Sequence, residues 1–220
     1  MPKLSANFSV KKAHSTQLRL SKLVIRQDKL PKEIRSVGGV DVSYVGDLGV
    51  GSVTVVDYAS LELLESRVAT CRVRMPYVPT LLSFRELPPA IAAITQLWRQ
   101  PDVFLVDAQG WAHPYRCGFA SHLGLAIKRP TVGAAKSRLI GEPTQANGRT
   151  VLMDKGEVIG EAVTTRQGCK PVYVSVGHMV SLETSVQLVR HCSKTRIPEP
   201  LRLAHNLATK TRLELAGKAK

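Results

Sequence analysis

Residues 103–124 read "VFLVDAQGWAHPYRCGFASHLG", in which Val103, Phe104, Leu105 and Val106 run without interruption into an acid, Asp107. A short unbroken apolar run marks a strand covered on both faces, as in the parallel sheet of an α/β protein. The segments around it agree. Upstream, "SFRELPPAIAAITQLW" (83–98) predicts a helix with Pro88 and Pro89 in its first turn and Ile91, Ile94, Leu97 and Trp98 on one stripe. Before that, "VGGVDVSYVG" (37–46) alternates, with Val40, Val42 and Tyr44 on one face and Gly39, Asp41 and Ser43 on the other. The glycines of "GDLGVG" (46–51) read as a turn into "SVTVVDY" (52–58), and "LELLESRVATCRVR" (61–74) supplies a third strand. Three strands with short turns predict an antiparallel meander. Downstream come a helix near 119–128, a strand at "TVGAA" (131–135), a hairpin across 150–163, a short strand at 173–176 and a helix over 181–192. This order predicts an α/β fold: a mixed sheet of five or more strands, the later ones parallel, with helices on both faces.

The two ends differ from the middle. Residues 16–30, "TQLRLSKLVIRQDKL", place Leu20, Leu23 and Val24 at helical spacing among basic residues, and Pro31 closes that expected helix. Residues 1–36 carry nine Lys and Arg against Asp28 and Glu33, a net of +7, and residues 190–220 carry eight against Glu199 and Glu214, a net of +6. The formal total is +14, so the middle is nearly neutral. Two basic ends around a neutral core suit a polyanion. A single domain is expected, with a basic N-terminal helix over 1–36, a core over 37–190 and a basic, partly frayed helical tail over 191–220. No apolar run is long enough for a membrane span, and the N-terminus has no apolar signal region. Cys71, Cys117, Cys169 and Cys192 are scattered without a Cys-x-x-Cys pair, which argues against a disulfide framework or a thiolate zinc site. A cytoplasmic monomer is the expected state.

Four residues carry candidate chemistry. Asp41 shares its strand face with the small Gly39 and Ser43. Asp107 ends the buried run, where ligand sites of open α/β sheets form. Glu86 stands just before Pro88 at a helix entrance, and His178 lies between the last strand and the helix that Ser181 can cap. Acids on neighbouring strands without thiolates make a hard oxygen site suited to Mg2+, with Mn2+ as a substitute. Beside a basic surface, such a site suits in-line attack on a phosphodiester. The phosphate loop G-x-x-x-x-G-K-[ST], H-E-x-x-H and G-x-S-x-G are all absent, which removes support for NTP binding, zinc proteolysis and esterase chemistry. A basic module that coats nucleic acid without cutting it is the alternative.

The segments "GGVDVSY", "MPYVPTLLSFRE", "VDAQGWAHPYRCGFASHLG", "RPTVGAAKSRLIG" and "YVSVGHMVSLET" occur in the order found in endonuclease V, and over roughly residues 37–190 the chain resembles that family. The resemblance implies a ribonuclease H-like fold in which Asp41 and Asp107 are neighbours. It implies metal-binding acids at Asp41, Asp107 and Glu86, a site lysine at Lys136 and a site histidine at His178. It places a strand-separating wedge on Pro76, Tyr77, Val78 and Pro79, and a base pocket at Leu82, Gly110, Gly133 and Leu139, with His113 and Arg116 facing the phosphates. The implied reaction is hydrolysis of the second phosphodiester bond 3′ to deoxyinosine in DNA, leaving a 3′-hydroxyl and a 5′-phosphate, with inosine-containing RNA as the alternative substrate. Thr80, Ala108, Tyr115 and Val176 depart from residues usual in the family, and the tail lies outside the matching segments.

Overall fold

A computed structural model describes residues 8–73 and 75–218; the basic Lys3 and Lys220 lie outside them. The meander forms as expected: β1 (Ser36–Val45), β2 (Leu48–Asp57) and β3 (Leu63–Arg72) pair antiparallel in sequence order. The buried run becomes β4 (Val103–Val106), parallel to β1, and β5 (Thr131–Ala135) lies parallel to β4. Among the described residues, nine strands make one sheet in the order β3-β2-β1-β4-β5-β9-β8-β7-β6, where β6 is Glu142–Ala146, β7 Arg149–Asp154, β8 Glu157–Val163 and β9 Val172–His178. The expectation that the later strands run parallel holds for β4 and β5 and fails for β9, which is antiparallel to β5. Its neighbour β8 reaches it through a short connection, and short connections join antiparallel strands. The strand β6 went unread because "EPTQA" has no apolar alternation; it is an exposed edge carrying a charge and a proline, features that blunt edge-to-edge association.

Strand parity then sorts the side chains. Val37, Val103, Leu105, Val132 and Ala134 point into one core with α4 (Leu182–His191) and Leu201 of α5 (Glu199–Lys218). Val40, Phe104 and Val106 point into the other with α2 (Leu82–Ile94) and α3 (Phe119–Ile127). Helices on both faces of this mixed sheet give the ribonuclease H-like α/β arrangement. By the same parity Asp41, Asp107 and Lys136 continue the α5 face, Asp41 within β1 just past its pairing with β4, and Asp107 and Lys136 just past β4 and β5.

Two helices depart from expectation. The N-terminal helix α1 spans Val10–Ser21 and is capped by Ser9, whose Oγ accepts the Lys12 N–H; Leu23 is largely exposed. Pro88 and Pro89 sit inside α2 rather than in its first turn. The buried Pro89 presses on β2 where Gly51 leaves room for its carbonyl, a tertiary contact that competes with the helix-breaking tendency of proline. Trp98, expected on the buried stripe of α2, lies after that helix and is exposed.

The basic tail is the largest correction. It forms α5, a 20-residue helix whose Leu201, Ala204 and Ala208 are fully buried against the meander. Thr54 Oγ1 donates to Pro200 O (2.8 Å), Ser52 Oγ to Ala204 O (2.8 Å) and Ser43 Oγ to Ala208 O (3.0 Å). These carbonyls recur every four residues, one helix stripe, and the strand hydroxyls saturate them. Gly39 permits this approach, because a Cβ there would collide with the Pro200 carbonyl. The small residues around Asp41 thus make room for a helix.

Candidate active site

Asp41 and Asp107 meet because β1 and β4 are parallel neighbours. Val40 pairs with Val106, and the Asp107 N–H donates to Val40 O at 3.1 Å, so the two acids stand at the same level on neighbouring strands. The α5 helix, pinned through Ala204, sets His205 above them. His205 Nδ1 and Asp41 Oδ2 share a hydrogen bond of 2.8 Å. One ligand atom from each of Asp41, Asp107 and His205 lies within 4.8 Å of the others, a spacing and donor set that fit one divalent metal ion. Lys136, one residue past β5, reaches Asp107 Oδ2 at 2.5 Å.

Glu86 approaches from α2 on the opposite side. It lies outside the tight three-residue cluster, yet its carboxyl is held well above the usual carboxylate range by burial, then by Asp41 and Asp107, with Arg85 opposing. Burial and the Asp107 charge also raise Asp41, against the pull of His205 and Lys136. Two carboxyls raised by desolvation and by the like charge of their acidic neighbours form a site relieved by a bound cation.

Beside this cluster lies a cavity of about 330 Å3. Tyr77, Thr80 and Leu82 line it from one segment, Asp107, Ala108, Gln109, His113 and Phe119 from a second, and Lys136, Ser137 and Leu139 from a third. Tyr77 is two-thirds exposed and Leu139 half exposed, so both stand at the mouth. Pro76 and Val78 are half-buried and Pro79 is exposed beside Tyr77. The segment ends on Thr80 in left-handed backbone (φ 69°).

Several expected site residues stand elsewhere. His178 pairs with Thr131 at the start of β5, whereas the acids follow the far end of β4, which runs parallel to β5. Its Nδ1 accepts the Ile25 N–H (3.2 Å), and burial lowers its pKa, as expected of a structural histidine. The histidine brought to the acids is His205, missed because the tail read as frayed; the signal was its place beside the stripe Leu201, Ala204 and Ala208. Arg116, expected to face phosphates, is neutralised by Asp154 Oδ2 (2.6 Å) and Glu157 Oε2 (3.0 Å). His113 lines the cavity but is buried, its pKa lowered to about 4 chiefly by desolvation, so it offers no positive charge near neutrality. Gly110 and Gly133 lie among the backbone rather than on the cavity wall. A Cβ on Gly133 would strike the Gly110 N and Ala108 O, and one on Gly110 would strike Val176 O.

Comparison with known proteins gives one consistent result. The Endonuclease V family model matches residues 18–206. An endonuclease V of Thermofilum pendens is 45% identical over 94% of this chain and 90% of its own length. One from Dictyoglomus turgidum is 46% identical over 86% of this chain and 85% of its own length. Among solved structures, the Streptomyces avermitilis endonuclease V superposes with a TM-score of 0.85 at 34% identity, covering 98% of this chain and 99% of that one. The Ciona intestinalis endonuclease V, solved with a 23mer DNA containing an inosine followed by a ribo-adenosine, gives a TM-score of 0.85 at 30% identity over 94% and 98% of the two chains. With acids, lysine and histidine gathered at the lip of a cavity in a ribonuclease H-like sheet, the chain belongs to the endonuclease V family and is a nuclease acting on phosphodiester bonds.

Proposed function

We propose that the protein recognises deoxyinosine in DNA and hydrolyses the second phosphodiester bond 3′ to it, leaving a 3′-hydroxyl and a 5′-phosphate. One observation carries the reading: a cluster of acids suited to a divalent metal opens directly onto a cavity lined by Tyr77, Leu82 and Leu139. A nucleotide extruded into that cavity leaves its 3′ strand crossing the acids. The inosine-containing DNA bound by the Ciona relative supports the substrate class.

Asp41, Asp107 and His205 would hold Mg2+ or Mn2+, with the buried Glu86 near enough to feel the charges of both aspartates. When bound, the metal activates water and neutralises charge on the phosphoryl oxygens. The chain's own residues supply the rest. His205 orients the Asp41 carboxylate through its 2.8 Å hydrogen bond. Lys136, held by Asp107, places a positive charge where the scissile phosphate gains negative charge. Tyr77 at the mouth stacks where the base leaves the duplex, and the apolar Leu82 and Leu139 receive it, which offsets part of the unstacking cost. A purely binding role leaves three mutually repelling acids beside a polyanion without explanation.

A second reading is cleavage of inosine-containing RNA, favoured by the ribo-adenosine that follows the inosine in the Ciona complex. Matched strands of identical sequence, with deoxyinosine in DNA or inosine in RNA, separate the two when cut in competition with Mg2+. Faster cleavage of the DNA supports the first reading, and faster cleavage of the RNA replaces it with the second.

A further inference from the structure

Pairing of β4 with β5 joins two of the cavity's segments, but no strand pairing joins the Tyr77–Leu82 segment to the one that follows β4. Thr80 closes one and Cys117 lies in another, and α1 touches both. Gln17 is fully buried, and its Nε2 donates to Thr80 O (2.8 Å) and to Cys117 O (3.1 Å), residues 63 and 100 positions away. One turn earlier, His14 shares a hydrogen bond with Thr80 Oγ1 (2.9 Å) and stacks on Tyr115 at 4.1 Å between ring centroids. Thr80 needs such support, because a β-branched residue in left-handed backbone is strained and relaxes unless its surroundings hold it.

We propose that Gln17 is a positioning residue for lesion recognition: by bridging the Thr80 and Cys117 carbonyls it fixes the separation of two cavity walls, with His14 steadying both. The inference rests on the nuclease reading for its substrate and on geometry alone for its clamp. Gln17 touches no substrate and acts only through the walls. A loosened clamp widens the cavity, so the gain from a correctly seated base falls while contacts to the phosphate backbone stay the same.

The test uses the full chain with Gln17→Met, which keeps the buried volume and removes both hydrogen bonds. Hydrogen exchange of the protein alone reads the clamp. The amides of Val78 and Thr80–Leu82, and of His113 and Tyr115–Gly118, are expected to exchange about tenfold faster, the scale of one or two lost hydrogen bonds. Cleavage with Mg2+ reads its use: kcat/KM on a deoxyinosine duplex falls about tenfold, while affinity for the matched undamaged duplex is unchanged. In a Thr80→Gly background, where left-handed backbone is unstrained, the Gln17→Met effect shrinks. Unchanged exchange in either segment overturns the clamp, as does an effect of equal size in both backgrounds, which marks general helix packing. If exchange responds but the wild type cuts no inosine strand, the clamp stands and the nuclease reading falls. Should Gln17→Met fail to fold, His14→Ala carries the same test; it must speed exchange around Thr80, and protection left intact there overturns the proposal.

Discussion

At Glu86 stability and chemistry conflict. Its carboxyl is raised by burial and by Asp41 and Asp107. A carboxyl raised above its unfolded value stabilises the fold only while protonated; that contribution is full at low pH and is lost as pH rises through the folded value. Glu86→Gln mimics the protonated form and is expected to raise the metal-free melting temperature at neutral pH, with each kcal/mol appearing as about 2–4 °C in a chain of this length. The same change is expected to lower cleavage at least tenfold, since a negative charge beside the proposed metal site is gone. A calorimetric scan without metal that shows an unchanged or lower midpoint contradicts the account. His205→Ala should cut kcat by about 10–100-fold, the range for a metal-site supporting group, while His178→Ala lowers stability and leaves the kcat of the folded fraction unchanged. Steady-state kinetics on the two variants distinguishes these roles. Of the site residues read from sequence, Asp41, Asp107 and Lys136 converge as expected because strand parity alone determines their meeting. His205 was illegible because its role depends on a helix 164 residues from its partner.

Helix α5 turns a run that reads as a tail into part of the sheet's cover. Its amphipathic stripe is narrow, Leu201, Ala204 and Ala208, and small side chains carry little apolar signal. The complementary surface is equally quiet: Gly39, Ser43, Ser52 and Thr54 read as room beside an acid rather than as a helix seat. Gly39→Ala is expected to cost about 1–3 kcal/mol by overpacking and to displace His205 from Asp41. Denaturant unfolding together with kcat measures both effects, and a neutral substitution would show that α5 is not seated as described. Where α2 crosses α3, His122 Nδ1 and Ser83 Oγ share a 3.1 Å hydrogen bond, and burial lowers the His122 pKa to about 4. A histidine depressed in the fold contributes fully above its unfolded pKa of about 6.5, and that stability is lost as pH falls towards 4. The wild type should therefore lose stability across that window, and His122→Gln should lose less; equal slopes in pH-dependent unfolding would exclude His122 as a source. Pro88 and Pro89 show the limit of local rules, since packing of Pro89 on Gly51 keeps them inside α2.

Across the chain, the charge pattern read from sequence survives folding with one refinement. The formal +14 is not all available to a polyanion. Arg116 is held by Asp154 and Glu157, and Arg149 by Glu161 and Glu183. In α1, Lys11, Lys12 and Arg19 lie exposed on a helix whose first turn holds no acid and whose other face grips Thr80. Neutralising Lys11 and Lys12 together should reduce the slope of log affinity against log salt by about 2, whereas Arg116→Gln leaves that slope unchanged and lowers stability instead. The order of elements was legible because apolar runs and turns are local signals. The direction of β9, the seat of α5 and the cavity were not, because each depends on contacts between distant segments.

The most direct test of the central claim, that Asp41, Asp107 and His205 build a metal-dependent nuclease beside a base cavity, is cleavage of two duplexes differing only in deoxyinosine or deoxyadenosine at one position. Wild type with Mg2+ should nick the deoxyinosine strand at the second phosphodiester bond 3′ to the lesion and leave the other duplex intact, with no nick after chelation or in Asp107→Ala. Equal nicking by wild type and Asp107→Ala, or equal cutting of both duplexes, would contradict it.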